Sequence, residues 1–195
     1  SSLPDYGLQL GIIYKSNIVS ISNPEQIFTT DDSAFPRPPL VANVAVTKDN
    51  NTVFDFIIII LHLKALGDKE SESRRKDACV KLKNYIDTNI LTGDEKDVIV
   101  LGDFNDQLND PTEDNVFESF LSDSLGYKFL TLPLADVPTY INNYSSSIDH
   151  ILITDDVRDE YTNGTTQVMK IDEEFSDYLN YISDHRPVLA RFFFN

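Results

Sequence analysis

The chain of 195 residues has a single cysteine, no long hydrophobic run and half as many basic as acidic residues. One cysteine, Cys79, excludes an internal disulfide and a cysteine-based zinc site. Cys79 lies on or beside the apolar face of a predicted helix, which favours a small core residue over a nucleophile. The longest apolar run, residues 56–61, is far too short to cross a bilayer, so we expect no stable membrane insertion.

Basic side chains are scarce: 16 Lys and Arg stand against 32 Asp and Glu, a formal net charge of -16. Proteins that coat nucleic-acid phosphates show the reverse balance, so the charge argues against tight passive binding of DNA or RNA. It is compatible with a cation-dependent enzyme, in which a bound metal supplies the local positive field. The alternative is a soluble acidic surface without a specific role.

Runs of apolar and β-branched residues predict strands at residues 8–14, 18–21, 40–46, 53–61, 98–101, 148–153 and 187–193. The first two are predicted to form a hairpin. The fourth is apolar on both faces, which is typical of a central strand in a covered sheet. Helices are predicted at residues 71–88 and 115–121. Strands that alternate with helices, without a linker, predict one α/β domain over residues 1–195 with a mixed sheet.

Four polar clusters stand at the ends of predicted strands: His62, Asp103 with Asn105, Asp149, and Asp184 with His185. The first two lie at carboxyl ends of strands, where open α/β sheets bind ligands. If the last two strands run antiparallel to the first two, all four clusters share one edge. His150, next to Asp149 on a strand, must point to the opposite face, and we expect it to be structural.

Such an edge contains the groups that metal-assisted hydrolysis of a phosphoester requires. Carboxylates supply hard oxygen ligands for Mg²⁺ or Mn²⁺. Imidazoles and an amide supply a base for water, an acid near the leaving oxygen and donors for the phosphoryl oxygens. The alternative for any single cluster is an ordinary polar cap of a turn. Four clusters in one arrangement favour a site.

The chain resembles the endonuclease/exonuclease/phosphatase superfamily, which includes DNase I-like nucleases, sphingomyelinases and inositol phosphatases. Four ordered motifs carry the resemblance: His62-Leu63-Lys64-Ala65, Gly102-Asp103-Phe104-Asn105, Ile148-Asp149-His150-Ile151 and Ser183-Asp184-His185-Arg186-Pro187-Val188. With Arg74-Arg75 opening the intervening helix, the spacing is most similar to bacterial predicted extracellular nucleases. The resemblance implies a four-layered DNase I-like α/β sandwich, two mixed β-sheets flanked by helices, in a secreted or periplasmic protein that cleaves phosphodiesters, with nucleic acid as the expected substrate.

The same resemblance implies roles for the clustered residues. Asp103 and Asn105 would position the attacking water and the phosphate. Asp184 would bind the divalent metal, Mg²⁺ (or Mn²⁺/Ca²⁺), directly or through water.

The resemblance assigns the acid–base groups as well. His185, oriented by Asp149, would act as general base or as hydrogen-bond donor to the phosphate. His62 would contact the phosphate and assist the leaving group.

Members of the superfamily begin with a further strand, helix and strand that carry an Asn and a metal-binding Glu. The resemblance implies that this chain lacks that part, and Glu25 does not replace the Glu in motif or position. The chain starts at Ser1 without an initiator Met or a visible signal peptide, and we expect a processed or trimmed product. We therefore expect an incomplete metal site, and an exposed sheet edge open to self-association or to a missing N-terminal segment.

The leading hypothesis is a divalent-metal-dependent phosphodiester hydrolase, specifically a nuclease. A lipid or sugar phosphoesterase of the same superfamily is the alternative enzyme, and the net charge of -16 favours it slightly because duplex DNA would be repelled. A catalytically incompetent fragment or binding module is the non-enzymatic alternative.

Overall fold

A computed structural model describes residues 9–142 and 145–194 of the chain. Its strands are β1 (Val19–Gln26), β2 (Leu40–Lys48), β3 (Asn51–His62), β4 (Val98–Asp103), β5 (Tyr127–Phe129), β6 (Asp149–Thr154), β7 (Thr165–Val168) and β8 (Val188–Arg191). Its α-helices are α1 (Lys69–Tyr85), α2 (Glu118–Leu121) and α3 (Tyr178–Tyr181), and a π-helical turn, Ile86–Ile90, continues α1. None of the helices in these ranges has the length and apolarity needed to cross a membrane.

Six strands form one mixed sheet in the order β1-β2-β3-β4-β6-β5. Only β3 and β4 pair in parallel, and the other neighbours in this sheet are antiparallel. Strands β7 and β8 form a second, antiparallel sheet of two strands. The predicted DNase I-like α/β class is confirmed, and within the described residues the second sheet is small and purely antiparallel.

The prediction of a central strand is confirmed by β3. It lies between β2 and β4, and apolar clusters cover both of its faces. Successive side chains of a strand point to opposite faces, which divides the core in two. On one face Val98 and Val100 of β4 pack with α1, and Cys79 of that helix is buried there as predicted. On the other face Ile99 packs beneath the two-stranded sheet, where Val188 of β8 joins the same apolar cluster.

The predicted hairpin at the start of the chain is wrong. Residues 9–14 form no strand, and Leu8 lies outside the described residues. The strand predicted at residues 18–21 instead runs from Val19 to Gln26 as β1 and pairs with β2 at the sheet edge. A bulge between Ser22 and Glu25 accommodates Pro24. Proline has no N–H to donate to a neighbouring strand, and an edge strand tolerates it because one side of that strand has no neighbour. Strand formation here depended on the available partner, β2, rather than on local apolarity.

Other element boundaries differ for local reasons. Helix α1 begins two residues before the prediction, because the Asp68 carboxylate caps it by accepting the N–H of Ser71. Helix α2 is shorter than predicted, since the Asn115 side chain accepts the N–H of Phe117 and holds the preceding residues in a turn. The short strands β5 and β7 were not predicted. With three and four residues they are too brief to show periodicity.

Candidate active site

The carboxyl ends of β3 and β4 bring the first two polar clusters together. His62 and Asp103 are neighbours in the parallel register, and His62 Nε2 lies 3.3 Å from Asp103 Oδ2. Gly102, one residue earlier, has a φ of +144°, and a Cβ there would lie 2.0 Å from the carbonyl oxygen of Leu61. Only glycine allows β4 to run this close to β3 at the site.

Asn105 turns the chain back toward the end of β3. Its backbone has a φ of 55°, in the left-handed region that Asn tolerates better than most residues. Its N–H donates to Asp103 Oδ1 at 2.9 Å, and its side-chain Nδ2 donates to the carbonyl of Leu63 at 3.2 Å. The turn therefore keeps the Asp103 carboxylate and the Asn105 amide on the side of β3 that carries His62.

Asp149 reaches the site from β6, directly opposite Asp103 in the antiparallel register. The Thr139 hydroxyl accepts the backbone N–H groups of Ile148 and Asp149, both at 3.0 Å, and fixes the start of the strand. The carboxylate Oδ2 of Asp149 accepts a hydrogen bond of 2.8 Å from His185 Nδ1. The other ring nitrogen, Nε2 of His185, lies 3.9 Å from Asp103 Oδ2.

His185 comes from the segment between α3 and β8, outside any strand ladder of the six-stranded sheet. The Tyr178 hydroxyl donates to the His185 carbonyl at 2.8 Å, and the His185 N–H donates to Ser183 Oγ at 2.9 Å. The ring of Tyr140 meets the imidazole edge-to-face at 5.2 Å. A cavity of about 350 Å³ borders Asp149, His185 and Tyr178.

The environment shifts the protonation of these groups in different directions. Burial and the nearby Asp149 charge raise the pKa of Asp103 to about 6. Burial, with the charge of Arg37, lowers the pKa of His62 to about 4. The hydrogen bond to Asp149 raises the pKa of His185 above its ordinary value. At neutral pH His62 is therefore uncharged, whereas His185 holds a proton more readily than a free imidazole.

Asp103, Asp149 and His185 could hold a metal ion. Each offers one ligand atom, and these atoms lie within 4.8 Å of one another. Two carboxylate oxygens and an imidazole nitrogen suit a divalent cation. Burial, followed by the nearby charge of Asp149, raises the pKa of Asp103, and a cation would offset both effects. Asp184 is not in this cluster. Its backbone carbonyl accepts the N–H of Ile141, and its role as a metal ligand stays a prediction.

The structure brings five of the six predicted site residues into one connected group at the sheet edge: His62, Asp103, Asn105, Asp149 and His185. Asp184 adjoins the group through its neighbour His185 and contributes to the raised pKa of that imidazole. His150 points to the opposite face, as predicted, and is 1% exposed. There its Nε2 donates to the carbonyl of Asp106.

Sequence reasoning missed Arg37, whose charge lowers the pKa values of both His62 and Asp103. Arg37 lies between prolines just before β2, and the first residue of β2, Leu40, pairs with Ile60 near the end of β3. The sequence feature that could have indicated Arg37 is an isolated basic residue beside a predicted strand in an acidic chain. Its position near His62 depends on the register of β2 with β3, in which Leu40 pairs with Ile60. The turn between the two strands was visible in the sequence, but the register was not predicted.

Known proteins share a sequence profile and a fold with this chain. The sequence profile described as "Endonuclease/Exonuclease/phosphatase family" matches residues 1–175. A search of curated protein sequences finds no significant match. Among solved structures, the human Nocturnin catalytic domain with bound sulfate aligns with a TM-score of 0.58 and 21% identity, covering 92% of this chain and 61% of that one.

Two further structures share the fold. The Bacteroides thetaiotaomicron mannosyl-6-phosphatase has a TM-score of 0.59 and 16% identity, with 92% of this chain and 68% of that chain covered. The D. rerio TDP2 complex with a single-strand DNA product has a TM-score of 0.60 and 15% identity, with 91% and 69% covered. The chain thus spans about three fifths to two thirds of these structures. From the profile match and the shared fold, the chain belongs to the endonuclease/exonuclease/phosphatase family.

Proposed function

We propose that this chain is a divalent-metal-dependent phosphodiester hydrolase, with nucleic acid as its substrate. One observation carries the proposal: His185 is hydrogen-bonded to Asp149 at 2.8 Å and directs its second nitrogen toward Asp103, 3.9 Å away. A carboxylate–imidazole pair beside a further carboxylate supplies both proton transfer and cation binding.

In this proposal Asp149 fixes the tautomer of His185. Because Nδ1 donates to the Asp149 carboxylate, Nε2 faces the site. When Nε2 is unprotonated it takes a proton from the attacking water, and when it is protonated it donates to a phosphoryl oxygen. The ionised Asp149 stabilises the imidazolium that proton uptake creates.

Asp103 and Asn105 would position the water and the phosphate. The backbone N–H of Asn105 holds the Asp103 carboxylate, and the Leu63 carbonyl holds the Asn105 side-chain amide. His62 would contact the phosphate beside the leaving group. Since burial lowers the pKa of His62 to about 4, its role at neutral pH is that of a neutral hydrogen-bonding partner rather than a cationic acid.

A divalent ion, Mg²⁺ or alternatively Mn²⁺ or Ca²⁺, would be held by the carboxylates of Asp103 and Asp149, with Asp184 as the further predicted ligand. When bound, such an ion would neutralise phosphoryl charge and polarise the phosphorus–oxygen bond. Arg37 adds a fixed positive charge near His62 and Asp103 in an otherwise acidic chain.

Nucleic acid is favoured as substrate because the profile names endonucleases and exonucleases and the TDP2 structure holds a single-strand DNA product. A sugar or lipid phosphoester is the second candidate. The net charge of -16, which repels a long polyanion, and the fold shared with a mannosyl-6-phosphatase favour it.

Hydrolysis of bis-p-nitrophenyl phosphate by the chain, with Mg²⁺, Mn²⁺ or Ca²⁺ and with EDTA as blank, tests the reaction. We expect turnover that requires a divalent ion and is lost in His185→Gln. Absence of turnover with all three ions, or equal turnover in EDTA, contradicts the proposal. Plasmid DNA, a single-stranded oligonucleotide, sphingomyelin and mannose 6-phosphate then distinguish the substrate classes.

Calorimetric titration with Mn²⁺ tests the ligand assignment. Asp184→Asn should weaken binding, whereas Asp177→Asn, the same charge change on an exposed residue of the same segment, should not. Equal affinities for both variants would remove Asp184 from the metal site.

The predicted partner at the sheet edge, whether a second copy or an N-terminal segment, and the predicted secreted or periplasmic location stay predictions. Sedimentation velocity across protein concentrations distinguishes a self-associating chain from a monomer.

A further inference from the structure

Arg75 is a buried cation on α1 that contacts both loops leaving the site strands. Its residue is 4% exposed. Its Nη1 donates to the carbonyls of Lys64, at 3.0 Å, and Leu66, at 2.7 Å, in the loop after β3. Its Nε donates to Asp106 Oδ2, at 2.7 Å, in the loop after β4. One guanidinium therefore joins the segment that follows His62 to the segment that follows Asn105.

Both loops contain a residue in a left-handed backbone conformation. Leu66 has a φ of 87°, which is unusual for a residue with a bulky side chain, and Asn105 has a φ of 55°. Such conformations persist only when surrounding contacts enforce them. Arg75 supplies such a contact at both places: it binds the Leu66 carbonyl directly, and next to Asn105 it binds Asp106.

Asp106 is held from several sides, so the anchor is rigid. Its Oδ1 accepts the N–H of Gln107, its Oδ2 accepts from Arg75, and its carbonyl accepts from His150 on the far face of the sheet. The ion pair with Arg75 is buried, which leaves neither charge facing solvent. Two of these bonds, from Arg75 on α1 and from His150 on β6, tie Asp106 to other elements and oppose its movement, whereas the Gln107 bond is local.

We propose that Arg75 is a positioning residue for the hydrolytic reaction, which sets the distance between the His62 loop and the Asn105 turn. This inference rests on the proposed function. Asn105 Nδ2 bonds to the Leu63 carbonyl, between the strand end and the two carbonyls that Arg75 holds. Loss of Arg75 would therefore displace the Asn105 amide relative to Asp103 and His62, without removing any group that touches substrate.

The arrangement requires arginine rather than any cation. A guanidinium donates from several nitrogens in a fixed plane, whereas an ammonium is a single point of attachment on a flexible stem. Lysine at position 75 can keep a charge near Asp106 but cannot bond both loops in the observed geometry. Arg75→Lys is therefore the informative substitution, and Arg74→Lys is its matched control. Arg74 makes solvent-exposed bonds to the carbonyls of Asp32 and Ser33, which water can replace.

In steady-state kinetics with bis-p-nitrophenyl phosphate, Arg75→Lys should lower kcat by about 10- to 100-fold, the range expected for displaced catalytic groups. KM should change by less than about threefold, because the groups that bind phosphate remain. Arg74→Lys should match the wild type. An Arg75→Lys variant with wild-type kcat overturns the inference, as does a change confined to KM.

Amide hydrogen exchange gives a readout that does not depend on activity. Arg75→Lys should exchange faster at residues 63–66 and 104–107 than the wild type, with the remaining sheet unchanged. Unchanged exchange in both loops overturns the inference. If the wild type hydrolyses no ester, the proposed function fails and the positioning role of Arg75 in that reaction fails with it. Hydrogen exchange still decides whether Arg75 joins the two loops.

A double variant covers the case in which Arg75→Lys folds poorly. Arg75→Met with Asp106→Asn removes both buried charges, so no unpaired charge is left in the core. The double variant should melt closer to the wild type than Arg75→Met alone, yet keep a reduced kcat, because the carbonyls of Lys64 and Leu66 still lack their donor. Recovery of kcat together with the melting temperature would show that Arg75 serves folding alone.

Discussion

Three neighbouring strands of the six-stranded sheet carry His62, Asp103 and Asp149 to the site. The segment between α3 and β8 carries His185 to it. The sheet side stands on a closed core: Ile59 and Leu152 are fully buried. The segment side is thin and open, with Leu179 50% and Ile182 63% exposed. The candidate site lies where these two regions meet.

The difference shows two ways of positioning a side chain. On the sheet side, backbone register places His62 beside Asp103 and Asp103 opposite Asp149, and many backbone bonds share that task. On the segment side, a few individual bonds hold His185, from Tyr178, Ser183 and Asp149. We expect substitutions that disturb the backbone of the sheet to act through folding, and substitutions on the segment side, or at its bond to Asp149, to act through activity with a smaller effect on stability.

The bond that joins the two regions should show the largest effect on rate. Asp149→Asn keeps the shape of the side chain but loses the charge that stabilises imidazolium, and its amide can bind the wrong tautomer of His185. We expect kcat to fall by up to about ten-thousandfold, as for comparable carboxylate–imidazole pairs. Thermal unfolding should change little, and the exposed Asp159→Asn should leave both properties unchanged. Normal kinetics in Asp149→Asn would exclude this residue from the mechanism.

Gly102→Ala should have the largest effect on stability. The φ of +144° and a Cβ contact of 2.0 Å with backbone cannot be relieved by moving a side chain. We expect the free energy of unfolding to fall by about 3 kcal/mol or more. Gly67→Ala is the control, because a Cβ there meets no atom within 4 Å. Equal denaturation midpoints for the two variants would contradict the close approach of β4 to β3.

Tyr178→Phe tests the segment side. It removes the hydroxyl that donates to the His185 carbonyl and keeps the buried ring. We expect a loss of about 1 kcal/mol of stability, with a fall of about tenfold in kcat because His185 is less well oriented. The control, Tyr181→Phe, changes a residue that is 77% exposed. A stability loss without any change in kcat would show that His185 does not depend on this bond.

The smallest effect is a difference in titration between the two regions. In the metal-free protein, NMR titration should give His185 a midpoint above 6.5, since its bond to Asp149 favours the proton. His62 should titrate near 4, because burial and Arg37 disfavour its charge. His185 then contributes stability that is present below pH 6.5 and lost as pH rises through its raised pKa. His62 has the opposite pH dependence: the stability that it contributes is present above pH 6.5 and is lost as pH falls toward 4. A reversed order of midpoints would contradict the geometry of both rings.

The elements that carry the site could largely be predicted. Strands β3 and β4 follow from runs of apolar residues too long for a turn, and Gly102 and Asn105 mark the sharp exit that follows β4. Alternation along β6 separated Asp149 from His150 correctly, because side chains of adjacent strand residues must face opposite ways. The family resemblance rested on the order of these motifs along the chain, and the profile match over residues 1–175 confirms the family.

The contacts that organise the site were not predictable in the same way. Nothing local distinguishes three of these residues from other polar residues, although their targets lie between 7 and 25 positions away along the chain: Arg37, Thr139 and Tyr178. The early hairpin failed for a related reason, since residues 9–14 are apolar enough for a strand but do not join a sheet. A strand exists only where another backbone pairs with it.

The sequence by itself determined the α/β class, the central strands and the residue types at their ends, because these depend on periodicity and on caps within a few residues. The tertiary structure alone decided that His185 Nδ1 meets Asp149, that Arg37 lies near His62, and that Arg75 joins two loops. The hydrogen bonds among these contacts join residues that are between 9 and 36 positions apart. Arg75 and Leu66 have the shortest separation, and His185 and Asp149 have the longest. Pairing over such separations is set by the packing of whole elements, which local sequence patterns do not encode.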